Sequence, residues 1–344
     1  MKKMKWRRLV ALCGVFYLLA AALPLLSFCS VQENEGEPET GSSAIAGESA
    51  GKGDSPSSSA SGTPVEAGGV FRLKDADGSI LEVSDSEFVK GGIAAEIPPS
   101  YEPEALKAQG IALYTYYSRL REQNREKGGE EADFSCNTKT GLVYVPQETR
   151  KKRWGESYEK WEAALEEAEK AIRGKTLQQD GELICSAYFA ISSGNTDAGE
   201  DVWGGDTSYL SPAASPGDIY ADGYLSSVSM SVEEARAATL KAFPDAKLGD
   251  EPEEWLTEIV RTGSGTVKSG KAGGVKATGT ELRNAFGLRS ANFTWKIGKD
   301  GFTFTVKGWG HNVGMSQVGA QYMAQNGASC QEILSWYYPG SKLV

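Results

Sequence analysis

Residues 89–117 read VKGGIAAEIPPSYEPEALKAQGIALYTYY, and the fold turns on how this stretch is divided. Its first part is apolar and reads as a short strand that carries one carboxylate, Glu96, before Pro98-Pro99 and a turn. A helix then begins with Pro103 in its first turn, where a missing amide costs nothing because first-turn N–H groups have no intrahelical partner. Leu106, Gly110, Leu113, Tyr117 and Leu120 recur at helical spacing, with Ala105, Ala108 and Ala112 in a second stripe beside them. A helix apolar on two sides and lined with Ala and Gly packs closely against its neighbours. Ile93, Ala94, Ala95, Ile97 and the two prolines hydrate a carboxyl poorly, which raises its pKa and suits Glu96 to general-acid work. Lys107, Gln109 and Tyr114 are the polar residues of the helix that could face a cleft.

Working outward, Lys2, Lys3, Lys5, Arg7 and Arg8 precede an uncharged apolar run from Leu9 to Cys29. That run is about long enough to span a bilayer, and its basic flank leaves the rest of the chain outside the cytoplasm. An uncleaved single-pass anchor over 1–30 is the reading taken; a cleaved signal peptide is the alternative. Residues 31–69 are rich in Gly, Ser and Glu, carry seven acids against Lys52, and hold almost no large apolar residue. Such a segment cannot offset its ordering entropy and is expected to be a disordered linker. The net charge of −10 argues against nucleic acid as a partner, since phosphate binding needs a basic face.

Order is expected from Val70. Phe71–Leu73 and Ile80–Val83, separated by Asp75-Ala76-Asp77-Gly78, read as a hairpin. Residues 119–174 read as a peripheral insertion ending in one amphipathic helix through Trp154, Tyr158, Trp161, Leu165, Ala168 and Ile172, closed by Gly174. Residues 183–191 read as an apolar strand, followed by Ser193-Gly-Asn-Thr196 and a loop that sets Trp203 among glycines. Ser231-x-x-Glu234, Thr278-x-x-Glu281 and Ser329-x-x-Glu332 are capping boxes. A hairpin about Lys299-Asp-Gly301 delivers Gly308-Trp-Gly-His-Asn-Val-Gly-Met-Ser-Gln-Val-Gly-Ala320. Trp203 and Trp309 suit a sugar-binding wall, and His311 and Gln317 suit a groove. The fold class expected is α+β: one catalytic domain of mixed strands and helices around a groove, over 70–344.

Several chemistries find no support. His311 is the sole histidine and no CxxC occurs, so neither a metal site nor a cofactor is expected. Cys136 and Cys185 could bridge, a pairing that sequence does not decide. Ser157-x-x-Lys160 has the spacing of a penicillin-interacting nucleophile, but Lys139-Thr-Gly141 precedes it rather than following far behind. Gly314-Met-Ser-Gln-Val is not GxSxG, so serine-hydrolase logic fails as well.

Four blocks carry a resemblance to the stage II sporulation protein D family, which includes the amidase-enhancer proteins. Ala95-Glu-Ile-Pro98 running into Glu104-Ala-Leu-Lys-Ala-Gln109 resembles its acidic block and helix, and Ser193–Thr196 with Glu200–Gly205 its central block. Leu282-Arg-Asn-Ala-Phe-Gly-Leu-Arg-Ser290 matches a third, and Gly308–Ala320 with Tyr337-Tyr-Pro-Gly340 is the most specific. The resemblance implies a membrane-anchored lytic transglycosylase that acts on peptidoglycan during engulfment in endospore formers. Glu96 would be catalytic, and Lys107 and His311 would match the family's helix lysine and its histidine. Gln109, Tyr114, Ser193, Trp203, Trp309 and Gln317 complete the expected substrate groove. Implied partners are glycan strands, the cell membrane, a cell-wall amidase and other engulfment proteins. Tyr114 stands where many members carry an arginine. Some members bind zinc near the position of Cys136, where this chain has no histidine.

Overall fold

The computed structural model describes residues 69–344, apart from 129–130 and 205–206. The expected anchor over 1–30 and the linker up to residue 68 lie outside the described residues. Among the described residues no helix is long and apolar enough to cross a membrane.

Strands β1 (Val70–Lys74) and β2 (Ile80–Ser84) form the expected antiparallel hairpin, with Phe71 opposite Val83. Helix α1 (Asp85–Glu96) follows at once, its N-terminus capped by the Ser84 side chain accepting from the Glu87 amide. Here the structure corrects the sequence reading, because Glu96 is the last residue of a helix and not a member of a strand. The reason is packing. Gly91 and Gly92, poor helix formers by propensity, let α1 close onto Tyr144 and Leu113; a Cβ would lie 2.3 Å and 2.6 Å from those side chains.

Helix α2 (Pro103–Glu126) starts with proline in its first turn, as expected, and buries both of its apolar stripes. It is the spine of the first core. Strand β3 (Phe134–Ser135) lies parallel to β1. Helices α3 (Gln147–Trp154) and α4 (Tyr158–Ile172) replace the single helix expected over 154–172. The chain turns between them at Gly155, whose φ of 50° only glycine adopts without strain. Residues 119–174, expected at the periphery, supply Leu165, Ala168 and Ile172 to the core. Arg150, fully buried, binds Glu162 through two nitrogens and Glu87 through the third.

The strand expected over 183–191 is two short strands. After β4 (Leu177–Gln179), β5 (Glu182–Leu183) pairs with β4, and β6 (Tyr188–Phe189) belongs to a different sheet. The chain leaves one ladder for the other between them, so no single strand can span the range. Next come α5 (Gly199–Val202), β7 (Leu225–Met230) and α6 (Val232–Ala242), then β8 (Leu256–Arg261), β9 (Val267–Ala272) and β10 (Val275–Thr278). Helix α7 (Gly279–Ala285) leads to the hairpin β11 (Phe293–Gly298) and β12 (Gly301–Lys307). Strand β13 (Met315–Ser316), α8 (Gln317–Gln325), α9 (Cys330–Tyr337) and β14 (Lys342–Leu343) close the chain. The capping boxes at Ser231, Thr278 and Ser329 all form.

The fold is thus α+β, built on two apolar clusters. One gathers β1, α1, α2, α4, α8 and α9; the other gathers β7 to β12 with α6 and α7. Strand β12 carries the chain from the second cluster into residues 308–316, which run beside 188–197. Ile191 pairs with Trp309, Asp197 with Val313, and β6 with β13. This seam positions the site. Cys136, Cys185 and Cys330 are all free thiols, so the possible Cys136–Cys185 bridge does not form.

Candidate active site

Glu96 ends α1, and the Ile97 amide closes the helix on the Ile93 carbonyl at 3.0 Å. The residue keeps some exposure, but its Oε1 is sealed from solvent without a hydrogen-bond partner. Its Oε2 is reached by the Gln317 amide at 3.4 Å, a long contact. Burial drives the Glu96 pKa up to about 8, against a smaller lowering by Gln317 and the Tyr188 hydroxyl. No charged side chain contributes to that shift. The negative end of the α1 dipole, at which Glu96 sits, also disfavours the ionised form. Glu96 is therefore a protonated carboxyl at neutral pH, which is what a general acid requires.

Gln317 opens α8, where Ser316 caps the helix by accepting from the Gly319 amide. Its amide nitrogen also lies 3.5 Å from Gln109 Oε1, so Gln317 of α8 links Gln109 of α2 to Glu96. Three buried polar atoms here lack a well-formed hydrogen bond: Glu96 Oε1, Gln109 Nε2 and the Tyr188 hydroxyl, which stands close enough to Glu96 to lower its pKa but outside bonding geometry. Unsatisfied polar atoms are costly when buried, and a cluster of them marks a place built for something other than stability. Tyr188 escaped the sequence reading, since it looks like one more apolar member of a strand. So did Asp218, a fully buried carboxylate held by Ser316 at 2.8 Å and by Ser192. Asp218 fixes the residue next to Gln317 and so steadies the start of α8.

His311 lies further along the same seam. Its Nδ1 accepts from the Val313 amide at 3.2 Å, which leaves Nε2 as the N–H that donates to the Tyr188 carbonyl at 3.1 Å. Burial, aided by the charge of Arg283, pushes its pKa down to about 3. The imidazole is neutral and committed to the backbone, and its ring lies 5.0 Å from that of Trp203 and 5.3 Å from that of Phe189. Asn312 takes φ 66°, the left-handed region that Asn tolerates better than most residues. Its side chain ties the Ser193 amide, Asn195 and Asp197 together. Ser193 thus belongs to the loop braced against the seam, its own hydroxyl donating to the Asn195 carbonyl at 3.2 Å. Trp309 is partly buried beneath the guanidinium of Arg289.

Two expected groove residues are engaged by carboxylates within the protein. Tyr114 is buried, and its hydroxyl donates to Asp85 at 2.7 Å, at the opposite end of α1 from Glu96. Its pKa is pushed up to about 12, by burial first and by Asp85 next. Lys107 meets Glu104 at 2.6 Å, a pair three residues apart on α2. Glu104 in turn accepts from the Cys330 amide, so the lysine's charge is already matched. The alternative of a two-carboxylate muramidase takes Asp201 or Asp206 as its second acid; Asp201 is paired with Lys268 at 2.7 Å, and Asp206 lies outside the described residues.

A family profile described as "Stage II sporulation protein" matches residues 76–174, which span α1 to α4 and include Glu96. A protein named stage II sporulation protein D from Bacillus amyloliquefaciens is 34% identical over 265 residues, covering 76% of this chain and 74% of its own length. Its namesake from Bacillus subtilis (strain 168) is 30% identical over 336 residues, covering 97% and 94%. A Bacillus subtilis protein named amidase enhancer is 26% identical over 304 residues, covering 74% of this chain and 40% of the relative.

Proposed function

This chain belongs to the stage II sporulation protein D family, and we propose that it is a lytic transglycosylase that cleaves the glycan strands of peptidoglycan. The observation that carries the reading is the isolated, buried Glu96 carboxyl with its pKa near 8. A glycosidase of the two-carboxylate kind needs a second acid across the scissile bond. A lytic transglycosylase needs one group that gives a proton and then takes one. Glu96 donates its proton to the oxygen joining N-acetylmuramic acid to N-acetylglucosamine, and that bond breaks. The resulting carboxylate then removes the proton of the muramic acid C6 hydroxyl as its oxygen attacks C1. A 1,6-anhydro ring closes, no water is consumed, and Glu96 is protonated again. In this reading Gln317, backed by Gln109, orients the carboxyl, and Trp203 offers a ring face to a pyranose. The domain is held outside the membrane by the Leu9–Cys29 segment, where it reaches septal wall during endospore formation.

A second reading follows from the relative named amidase enhancer: a wall-binding module that stimulates an amidase without cutting glycan. Glu96→Gln separates the two. On purified sacculi and on peptide-free glycan, the wild type is expected to release fragments. The variant should lose at least about a thousandfold in rate, within the range for removing a general acid, while still binding. A wild type that binds but releases nothing from either substrate would favour the module.

A further inference from the structure

Arg283 and Arg289 both lie in the block Leu282–Ser290, to which the catalytic reading gives no task. Arg283, near the end of α7, is partly buried; its Nε donates to the Leu288 carbonyl at 3.2 Å. Arg289 is exposed, with its guanidinium 4.4 Å above the Trp309 ring. Among the described residues neither takes part in an ion pair; of the other unpaired arginines, Arg153, Arg236 and Arg261 spend their guanidiniums on backbone carbonyls. What sets Arg283 and Arg289 apart is their place beside residues 309–311.

The backbone brings them to the site. The Gly310 amide bonds the Arg289 carbonyl at 2.9 Å, and Ser290 bridges Gly310 in parallel. The charge of Arg283 reaches His311, whose ring meets Trp203. Two guanidiniums, two indoles and a neutral imidazole therefore border the seam that leads to Glu96. Lys107, the other cation that the resemblance assigns to the groove, is already matched by Glu104.

We infer that Arg283 and Arg289 form a carboxylate-binding site for the acidic substituents of the glycan strand, next to the Trp203–His311 contact. The inference rests on the peptidoglycan reading above. A guanidinium presents paired N–H groups that fit a carboxylate in two parallel bonds, and a stacked arginine loses little freedom on binding. Partial burial of Arg283 strengthens the attraction by lowering the local dielectric. Two parts of peptidoglycan supply such a group: the lactyl carboxylate of muramic acid once its peptide is removed, and the carboxylates of the stem peptide.

The test is binding by Glu96→Gln protein, which holds substrate without turning it over. Three ligands are compared: peptide-free glycan strands, peptide-bearing strands and a neutral chitooligosaccharide. Adding Arg289→Gln is expected to weaken binding to a carboxylate-bearing strand about tenfold, the loss of one charge-assisted contact. Adding Arg283→Gln as well should weaken it further, and Arg283→Lys should restore part of the loss. Binding to the neutral oligosaccharide should change less than about twofold. A loss on peptide-free strands assigns the lactyl group; a loss confined to peptide-bearing strands assigns the stem peptide. Unchanged binding to both acidic ligands overturns the inference, and so does an equal loss on the neutral one. Should the double variant misfold by circular dichroism, exposed Arg289 decides alone. Failure of the catalytic reading would show instead in the wild-type products and leave this comparison standing.

Discussion

Asp85 and Glu96 stand at the two ends of one helix, and what separates them is the supply of donors. Asp85 Oδ1 accepts from Arg121 at 2.9 Å and its Oδ2 from the Tyr114 hydroxyl at 2.7 Å. Glu96 has one long contact from Gln317 and a sealed oxygen with no partner. Asp85 also sits at the positive end of the helix dipole and Glu96 at the negative end. Burial with a cation makes a structural ion pair; burial without one makes an acid that keeps its proton at neutral pH. Tyr114, at the position where many family members carry an arginine, belongs to the structural end. The cation on Asp85 is Arg121, two turns further along α2.

The contrast can be broken at each end. The largest effect is expected from Arg121→Met, which strips the cation from a buried carboxylate and also removes the guanidinium lying 4.1 Å from the Phe71 ring. Breaking a buried pair costs about 3–5 kcal/mol, read as a lower urea midpoint. Tyr114→Phe takes away only one bond to the same carboxylate and should cost about 1.5–3 kcal/mol, in the same measurement.

The smallest effect lies at the other end and has a defined sign. With the Glu96 pKa raised to about 8 in the folded state and about 4 unfolded, only the unfolded chain loses this proton between the two values. The stability that Glu96 contributes is present in full below about pH 4 and is lost as pH rises through the folded value. Glu96→Gln does not titrate, so its melting temperature relative to wild type should climb from pH 5 to pH 8. Because Glu96 keeps some exposure, the change is on the order of 1 kcal/mol. A flat difference would mean that the carboxyl titrates normally.

The sequence made the local features legible. Proline in the first turn of α2, three capping boxes and the hairpin of β11 and β12 all follow from short-range rules and all form. Glu96 was legible as a sheltered acid, because its apolar neighbours are adjacent in the chain. Its helix was not, since Gly91 and Gly92 become helical through contact with Tyr144 and Leu113, which lie beyond the local window. The long-range partners were hidden for the same reason. Gln317 meets Glu96 across 221 positions, and Tyr188 reaches it from a strand that reads as plain core. The place of Tyr114 and Lys107 on α2 points to the groove, but they meet Asp85 and Glu104 in contacts that the helical pattern alone does not reveal.

The measurement closest to the central claim is mass analysis of the glycan ends left by the wild type on peptide-free strands. If Glu96 acts alone as acid and then base, the muramic acid termini are expected to carry 1,6-anhydro rings, each lighter by one water than a reducing end. Reducing muramic acid termini, formed from the first turnover, would contradict the account and require a second group that activates water.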